Sequence, residues 1–284
     1  MAPERATPVP GGGEVAAGPP PDAAASSAAL LRGYAREPGR SVLARVELPG
    51  TVWEDGVAAD EPRPAASLLK VPLALAVEAA FSTGRLAADT PVTVAELIAG
   101  HAGAGPLHVL DRSLPLTGAD VLGLCLALSD RACATWLLAA VGLAAVRDAA
   151  AAAGCEATTM AAVDDHPSAP LRGRTTARDA LRLLAAATDE ARYPLTANAL
   201  RNTALNSRIP LGADDLDVRL AHKTGTLAGV ANDVAILDCT GGTVSLAFLT
   251  EAQHDTLVSG YEMGICTRGP VSYTHLTLPT NREV

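Results

Sequence analysis

Strand-like runs near the two ends of the chain bracket a long stretch of helical periodicity. Residues 41–48 and 51–56 have the β-branched, apolar character of strands and meet at Pro49-Gly50, which predicts a hairpin-like break. A short helix is predicted ahead of them, over 26–35. From Ser67 to about Ala153 apolar residues recur at helical spacing, with breaks at Gly84, at 100–106, at Pro115 and at Gly142. Residues 163–174, rich in Pro, Gly and Asp, predict a loop, and Thr175-Thr176 then offers an N-cap for a helix through Ala187. Strand character returns over 218–226, 230–239 and 243–250, the last two joined by Thr240-Gly241-Gly242. Two strands, a helical block and three strands predict an α/β (α+β) fold: an antiparallel sheet built by both ends of the chain, flanked by helices, with an all-α part inserted between them.

Both termini differ from this body. Residues 1–25 contain Pro10-Gly-Gly-Gly13 and Gly18-Pro-Pro-Pro21, runs that bury too little apolar surface to offset ordering entropy, so a disordered lead is expected there. The segment Val271-Ser-Tyr-Thr-His-Leu-Thr-Leu-Pro-Thr280 back-translates onto a transposon-end sequencing adapter, so 271–284 is expected to be foreign to the fold and to pack nowhere. That leaves 26–270 as the folded unit, with 26–66 and about 206–270 in the sheet part and 67–205 mainly helical.

Composition narrows the function classes. The chain has 284 residues, 49% hydrophobic and 19% charged, enough to bury a large core. A formal net charge of -9 leaves no basic surplus for phosphate, so nucleic acid is not expected as a partner. Cys125, Cys133, Cys155, Cys239 and Cys266 are odd in number and include no C-x-x-C pair, which predicts buried thiols. His101, His108, His166 and His222 fall on separate elements without ligand spacing, so no metal is expected. The longest apolar runs, 71–77 and 136–146, are too short or too interrupted to span a bilayer, so no membrane segment is expected. The start lacks the basic n-region of a secretory signal, so the chain as written is expected in the cytoplasm, or outside it if the true start lies upstream; a monomer is expected.

Chemistry-bearing residues cluster in three places. Ser67-Leu68-Leu69-Lys70 sets a hydroxyl and an amine three residues apart, on one face if helical, where a neutral Lys70 can take the serine proton. Pro72 suits a first helical turn, which places Ser67 at a helix N-terminus, where unpaired N–H groups favour an oxyanion. Ser129-Asp130-Arg131 follows the apolar run 121–128, and Lys223-Thr224-Gly225-Thr226 lies on a predicted strand.

In order and element type the three motifs resemble the S-x-x-K, S-D-N and K-T-G set of class A β-lactamases and penicillin-binding proteins, itself a standard illustration of a serine acyl-transfer site. The likeness extends through Gly103-Ala-Gly-Pro-Leu107, Leu116-Thr117-Gly118 and Asn232-Asp233, over roughly 27–266. The resemblance implies a β-lactamase/transpeptidase-like fold and a small-molecule acyl substrate, β-lactam or peptide-like, with no cofactor. It implies that Ser67 attacks the carbonyl, that Lys70 deprotonates it, that Ser129 relays a proton to the leaving nitrogen and that Lys223 holds Ser129 electrostatically. It also implies that Thr224 and Thr226 bind the substrate carboxylate, that Gly225 lets substrate lie on the strand, and that N–H groups of Ser67 and Thr226 form the oxyanion hole. Asp130, Arg131 and Arg208 join the substrate-binding set, Arg208 as a distal cation for that carboxylate.

Two departures qualify the likeness. Arg131 stands where the family has an asparagine that binds the substrate amide, and arginine cannot accept a hydrogen bond. The Glu-x-x-Leu-Asn element that class A enzymes carry before the Thr-Thr helix is missing; Glu156 comes too early, leaving Asp164 and Asp165 as substitutes. The implied function is a serine hydrolase of the class A β-lactamase type with impaired deacylation. The alternatives are a D-alanyl peptidase or esterase, and a non-catalytic acyl-trapping or ligand-binding module.

Overall fold

The two strand-rich ends of the chain come together in a single sheet. The computed structural model describes residues 21–101, 105–163, 170–214 and 216–275. Helix α1 (Pro21–Tyr34) leads into β1 (Arg40–Leu48) and β2 (Thr51–Val57), a hairpin turned at Pro49-Gly50. A two-residue strand, β3 (Arg63–Pro64), and the 3-10 turn Ala66–Leu69 then feed the central helix α2 (Lys70–Ser82). The helical part continues through β4 (Pro91–Thr93), α3 (Val94–Ile98), β5 (Pro115–Thr117), α4 (Gly118–Ala127) and α5 (Arg131–Ala152), with β4 and β5 paired as a small ladder. After β6 (Thr159–Ala162), β7 (Leu171–Thr175), α6 (Ala177–Ala187) and α7 (Pro194–Arg201), the chain returns to the sheet as β8 (Arg219–Leu227), β9 (Val230–Cys239) and β10 (Gly242–Thr250) and closes with α8 (Thr256–His275). The main sheet runs β2-β1-β10-β9-β8, antiparallel throughout, so both ends build it as the alternation predicts.

Period-two alternation splits the strands between two cores. Val42, Ala44, Val46, Leu237, Leu246 and Phe248 face α1 and α8, where Leu31, Tyr34, Met263 and Cys266 cover them. Leu43, Val234, Ala247 and Leu249 face the other way, toward α6 and the helical part. That second core is organised around α2, which is buried on nearly every side and contacts α4, α5, α6 and α7. A helix apolar all round needs neighbours all round. Its one internal carboxylate, Glu78, accepts the N–H groups of Leu195 and Thr196 at 2.8 Å each and so caps α7. By length and composition α5 is apolar enough to cross a bilayer. Its Ala132, Cys133, Ala134, Leu137, Val146 and Ala150 pack inward, and Gly142, at φ 76°, kinks it midway.

Three expectations are corrected. Helix α1 begins at Pro21, whose fixed φ suits a first helical position, so 21–25 belong to the helix and not to a disordered lead; 1–20 lie outside the described residues. The stretch 163–174 is not all loop, because β6 and β7 form an antiparallel hairpin that also pairs with β3. Gly173 permits it: a Cβ there would stand 1.8 Å from the Thr159 carbonyl oxygen. Finally, the segment from Val271 does not pack nowhere. Helix α8 carries Met263, Thr267, Val271 and Thr274 on one buried face, and Val271 is fully buried among the residues that cover the sheet. A helix docked at Met263 delivers the side chains four and eight residues later to the same groove. Residues 276–284 lie outside the described residues. All five cysteines are free thiols; Cys125, Cys133 and Cys266 are buried, whereas Cys155 and Cys239 are only half-buried, short of the burial expected of all five.

Truncating Val271 to alanine should therefore cost about 1–2 kcal/mol of stability by removing buried methyl groups. Its exposed neighbour Ser272, changed to alanine, should alter stability by no more than about 0.5 kcal/mol. Urea unfolding midpoints of the two variants, read at unchanged m-value, check the contrast.

Candidate active site

The turn that carries Ser67 is held from both sides. Ala65 donates its N–H to the Gly173 carbonyl of β7 at 2.9 Å, and the Asn232 side-chain amide of β9 donates to the Pro64 carbonyl at 2.8 Å. Asn232 Oδ1 in turn accepts the Thr250 N–H, so the turn is pinned to the centre of the sheet. Ala66 sits at φ 50°, a left-handed conformation that a side chain adopts only when its surroundings enforce it. The 3-10 turn Ala66–Leu69 then leaves Ser67 half-buried at the head of α2 and Lys70 buried one turn on.

Gly225 explains how β8 approaches this turn. A Cβ at 225 would lie 2.9 Å from the Ala65 carbonyl oxygen and 3.2 Å from Ala66 Cβ. Its lack of a side chain thus serves the contact between strand and serine turn.

Ser129 joins the two lysines. It occupies the junction of α4 and α5 at φ 55°, and its hydroxyl oxygen accepts from Lys70 Nζ and from Lys223 Nζ, each at 3.1 Å. Lys70 also donates to the Ser129 carbonyl, and Lys223 to the Thr224 carbonyl at 3.0 Å. Both ammonium groups are buried, Lys223 completely. Burial pushes the proton affinity of Lys223 down to about 7, with the neighbouring Lys70 charge adding to the shift. Lys70 is lowered as well, first by burial and then by the Arg131 charge, against the opposing pull of Cys125 and Asp130.

Behind β8 the polar groups form a second tier. Arg208 donates to the Gly225 carbonyl at 3.0 Å, to the Asn232 carbonyl and to Thr226 Oγ1 at 2.6 Å. Asp233 accepts the Ile209 N–H at 3.1 Å and pairs with His222 Nδ1 at 3.1 Å, while His222 Nε2 meets Asn206 Oδ1 at 3.1 Å. His222 is thus a buried structural histidine that ties the segment of Arg208 to the strand of Lys223.

These elements enclose a cleft of about 880 Å³ lined by Ser67, Lys70, Ser129, Asp130, Arg131 and Thr226 among the predicted residues. Lys223 stands behind Ser129 and does not line it, and Thr224, 4% exposed, does not line it either. Asp130 spends one carboxylate oxygen capping α5, accepting the Cys133 N–H at 3.0 Å. Glu156 lies away from the cleft and pairs with Arg182 at 3.4 Å; Asp164, Asp165 and His166 lie outside the described residues, as do 102–104. Arg172 and Arg174 of β7 line the cleft and were not anticipated. A loop reading of 163–174 concealed them, whereas the i, i+2 spacing of Arg172 and Arg174 around Gly173 signals a strand with two arginines on one face.

Comparison with known proteins gives the family and the fold. A profile described as "Beta-lactamase enzyme family" matches residues 28–263. Among curated proteins none matches the sequence. A β-lactamase from Sphaerobacter thermophilus DSM 20745 superposes with a TM-score of 0.75 at 26% identity, covering 90% of this chain and 99% of that one. PBP-A superposes at 0.71 with 20% identity over 90% and 96% of the two chains, and an ancestral class A β-lactamase at 0.70 with 22% identity over 87% and 99%. Joined to the sheet that both chain ends build and to the meeting of Ser67, Lys70 and Ser129 in one cleft, the match over most of its length means that this chain belongs to the β-lactamase enzyme family.

Proposed function

We propose that the protein is a serine acyl hydrolase that opens β-lactam amides through an ester on Ser67 and releases the acyl group slowly. The observation that carries this reading is the placing of Ser129 Oγ 3.1 Å from both Lys70 Nζ and Lys223 Nζ, in the cleft that Ser67 lines. Lys70 in its neutral form takes the Ser67 proton as Oγ attacks the lactam carbonyl. Backbone N–H groups of Ser67 and Thr226 receive the oxyanion. The C–N bond breaks, and the leaving nitrogen takes its proton from Ser129, which is resupplied from Lys70. Lys223 holds positive charge beside Ser129 while the substrate carboxylate lies toward Thr226, whose hydroxyl Arg208 orients.

Hydrolysis of the ester requires a water with its own base, and among the described residues lining the cleft the only carboxylate is Asp130, which caps α5. That supports slow deacylation. The same groups serve a D-alanyl peptide or ester equally well, and the resemblance of the three motifs to those of penicillin-binding proteins supports this as the second reading.

Mixed with a penicillin and followed by mass spectrometry, the protein should accumulate a covalent adduct that persists over many minutes and is absent from Ser67→Ala. Rapid turnover without an adduct would contradict slow deacylation, and no adduct with any lactam, ester or peptide would contradict the acyl-enzyme itself. The pH profile supplies a second check. Lys223 loses its proton as pH rises through about 7, so the acylation rate should fall on the alkaline side of that value. In Lys223→Arg, which keeps its charge, the falling limb should move above about pH 9 even if the overall rate is lower. A wild-type profile that is flat from pH 6 to 9 would refute the role given to Lys223.

A further inference from the structure

Four cationic side chains besides Lys223 surround the nucleophile, although the chain as a whole carries a formal net charge of -9. Their partners differ. Lys70 is spent on Ser129. Arg174 is spent on Glu251, which it grips with both nitrogens at 2.8 and 2.7 Å, and on the Pro62 carbonyl at 2.7 Å. Arg131 and Arg172 line the same cleft, are both exposed, and have no ion pair or side-chain hydrogen bond among the described residues. Asp130, the carboxylate nearest in sequence to Arg131, gives one oxygen to the Cys133 N–H at 3.0 Å.

Their placement ties both to the reacting atoms. Arg131 is the first residue of α5, two positions after Ser129. Arg172 precedes Gly173, whose carbonyl holds the Ala65 N–H two residues before Ser67. Thr226, on β8, lines the cleft from a third element, its hydroxyl accepting from Arg208 at 2.6 Å. A substrate whose ring carboxylate lies at Thr226 therefore leaves its acyl arm among Arg131 and Arg172.

We propose that Arg131 and Arg172 form a second anion subsite, selecting acyl substrates that carry a carboxylate on the acyl side in addition to the one bound at Thr226. Guanidinium groups pair with carboxylates in charge-assisted, often bidentate bonds, and a cleft wall screens them less than open surface does. The inference rests on the acyl-enzyme reading and supplies its substrate class: dianionic acyl donors, whether acidic peptides or lactams with an acidic side chain.

Three penicillins of one skeleton form a charge series at the acyl α-carbon: carbenicillin with an added carboxylate, benzylpenicillin with none and ampicillin with an added ammonium. Second-order rates of Ser67 acylation, read by mass spectrometry at low salt, should fall in that order, with carbenicillin ahead of benzylpenicillin by roughly five- to tenfold. In the double variant Arg131→Gln with Arg172→Gln that ratio should collapse toward one. In Arg85→Gln, which removes one charge outside the cleft, it should persist. Equal rates in the wild type, or a preference that survives in the double variant, overturn the subsite while leaving the acyl-enzyme intact. If Ser67 takes up none of the three, the acyl-enzyme reading fails, and calorimetry on Ser67→Ala still decides the subsite. Tighter binding of carbenicillin that the double variant loses supports it, and equal or undetectable binding of the three overturns it.

Discussion

Two buried ammonium groups converge on one hydroxyl, and the surrounding architecture is arranged to tolerate it. Lys70 and Lys223 both donate to Ser129 Oγ at 3.1 Å from within the protein. Burial lowers the proton affinity of both lysines, and for Lys223 the neighbouring Lys70 charge lowers it further. The outcome is useful chemistry: each lysine gives up its proton more readily than a free one. The cost to folding has a definite sign. Between about 7 and the ordinary lysine value of 10.5 the unfolded chain holds a proton that folded Lys223 lacks, so this group makes stability rise with pH across that window.

Holding three side chains from three separate elements at one point demands a rigid frame. Lys223 comes from β8, Ser129 from the α4–α5 junction and Lys70 from α2. The frame consists of close backbone approaches. Gly225 admits the Ala65 carbonyl, Gly173 admits the Thr159 carbonyl, and Asn232 laces the serine turn to β10. Strain collects at the same place, since Ala66 and Ser129, both at positive φ, adjoin or carry the reacting hydroxyls. Such conformations persist only where the surroundings over-determine them.

How much of this was legible in the sequence follows from the range of each signal. Alternation in β1, β2, β8, β9 and β10 is local and wide enough to predict the sheet, and helical periodicity around α2 is equally plain. The three motifs were legible because each combines distinctive residues on a predictable element. Thr224 and Gly225 show the limit: how deeply Thr224 is buried and how closely Gly225 passes the Ala65 turn depend on how β8 meets that turn, which local sequence does not carry. Arg172 was hidden by the Pro-rich sequence around it, which outweighs the single i, i+2 repeat of Arg172 and Arg174 that marks the short strand. Val271 was misjudged on the origin of its codons, although a buried groove beside Met263 is indifferent to where a valine comes from.

The central claim is that Lys70 and Lys223 share a lowered proton affinity around Ser129, and nuclear magnetic resonance of the lysine side chains tests it most directly. With lysine labelled at Cε and Nζ, and the two signals assigned through Lys70→Arg and Lys223→Arg, titration from pH 5 to 11 reads each group separately. The account predicts that Lys223 titrates near 7, that Lys70 also titrates below the ordinary 10.5, and that Lys223 rises when Ser129→Ala and solvent entry relieve its burial. Two lysines that both stay protonated to above pH 10 would contradict it.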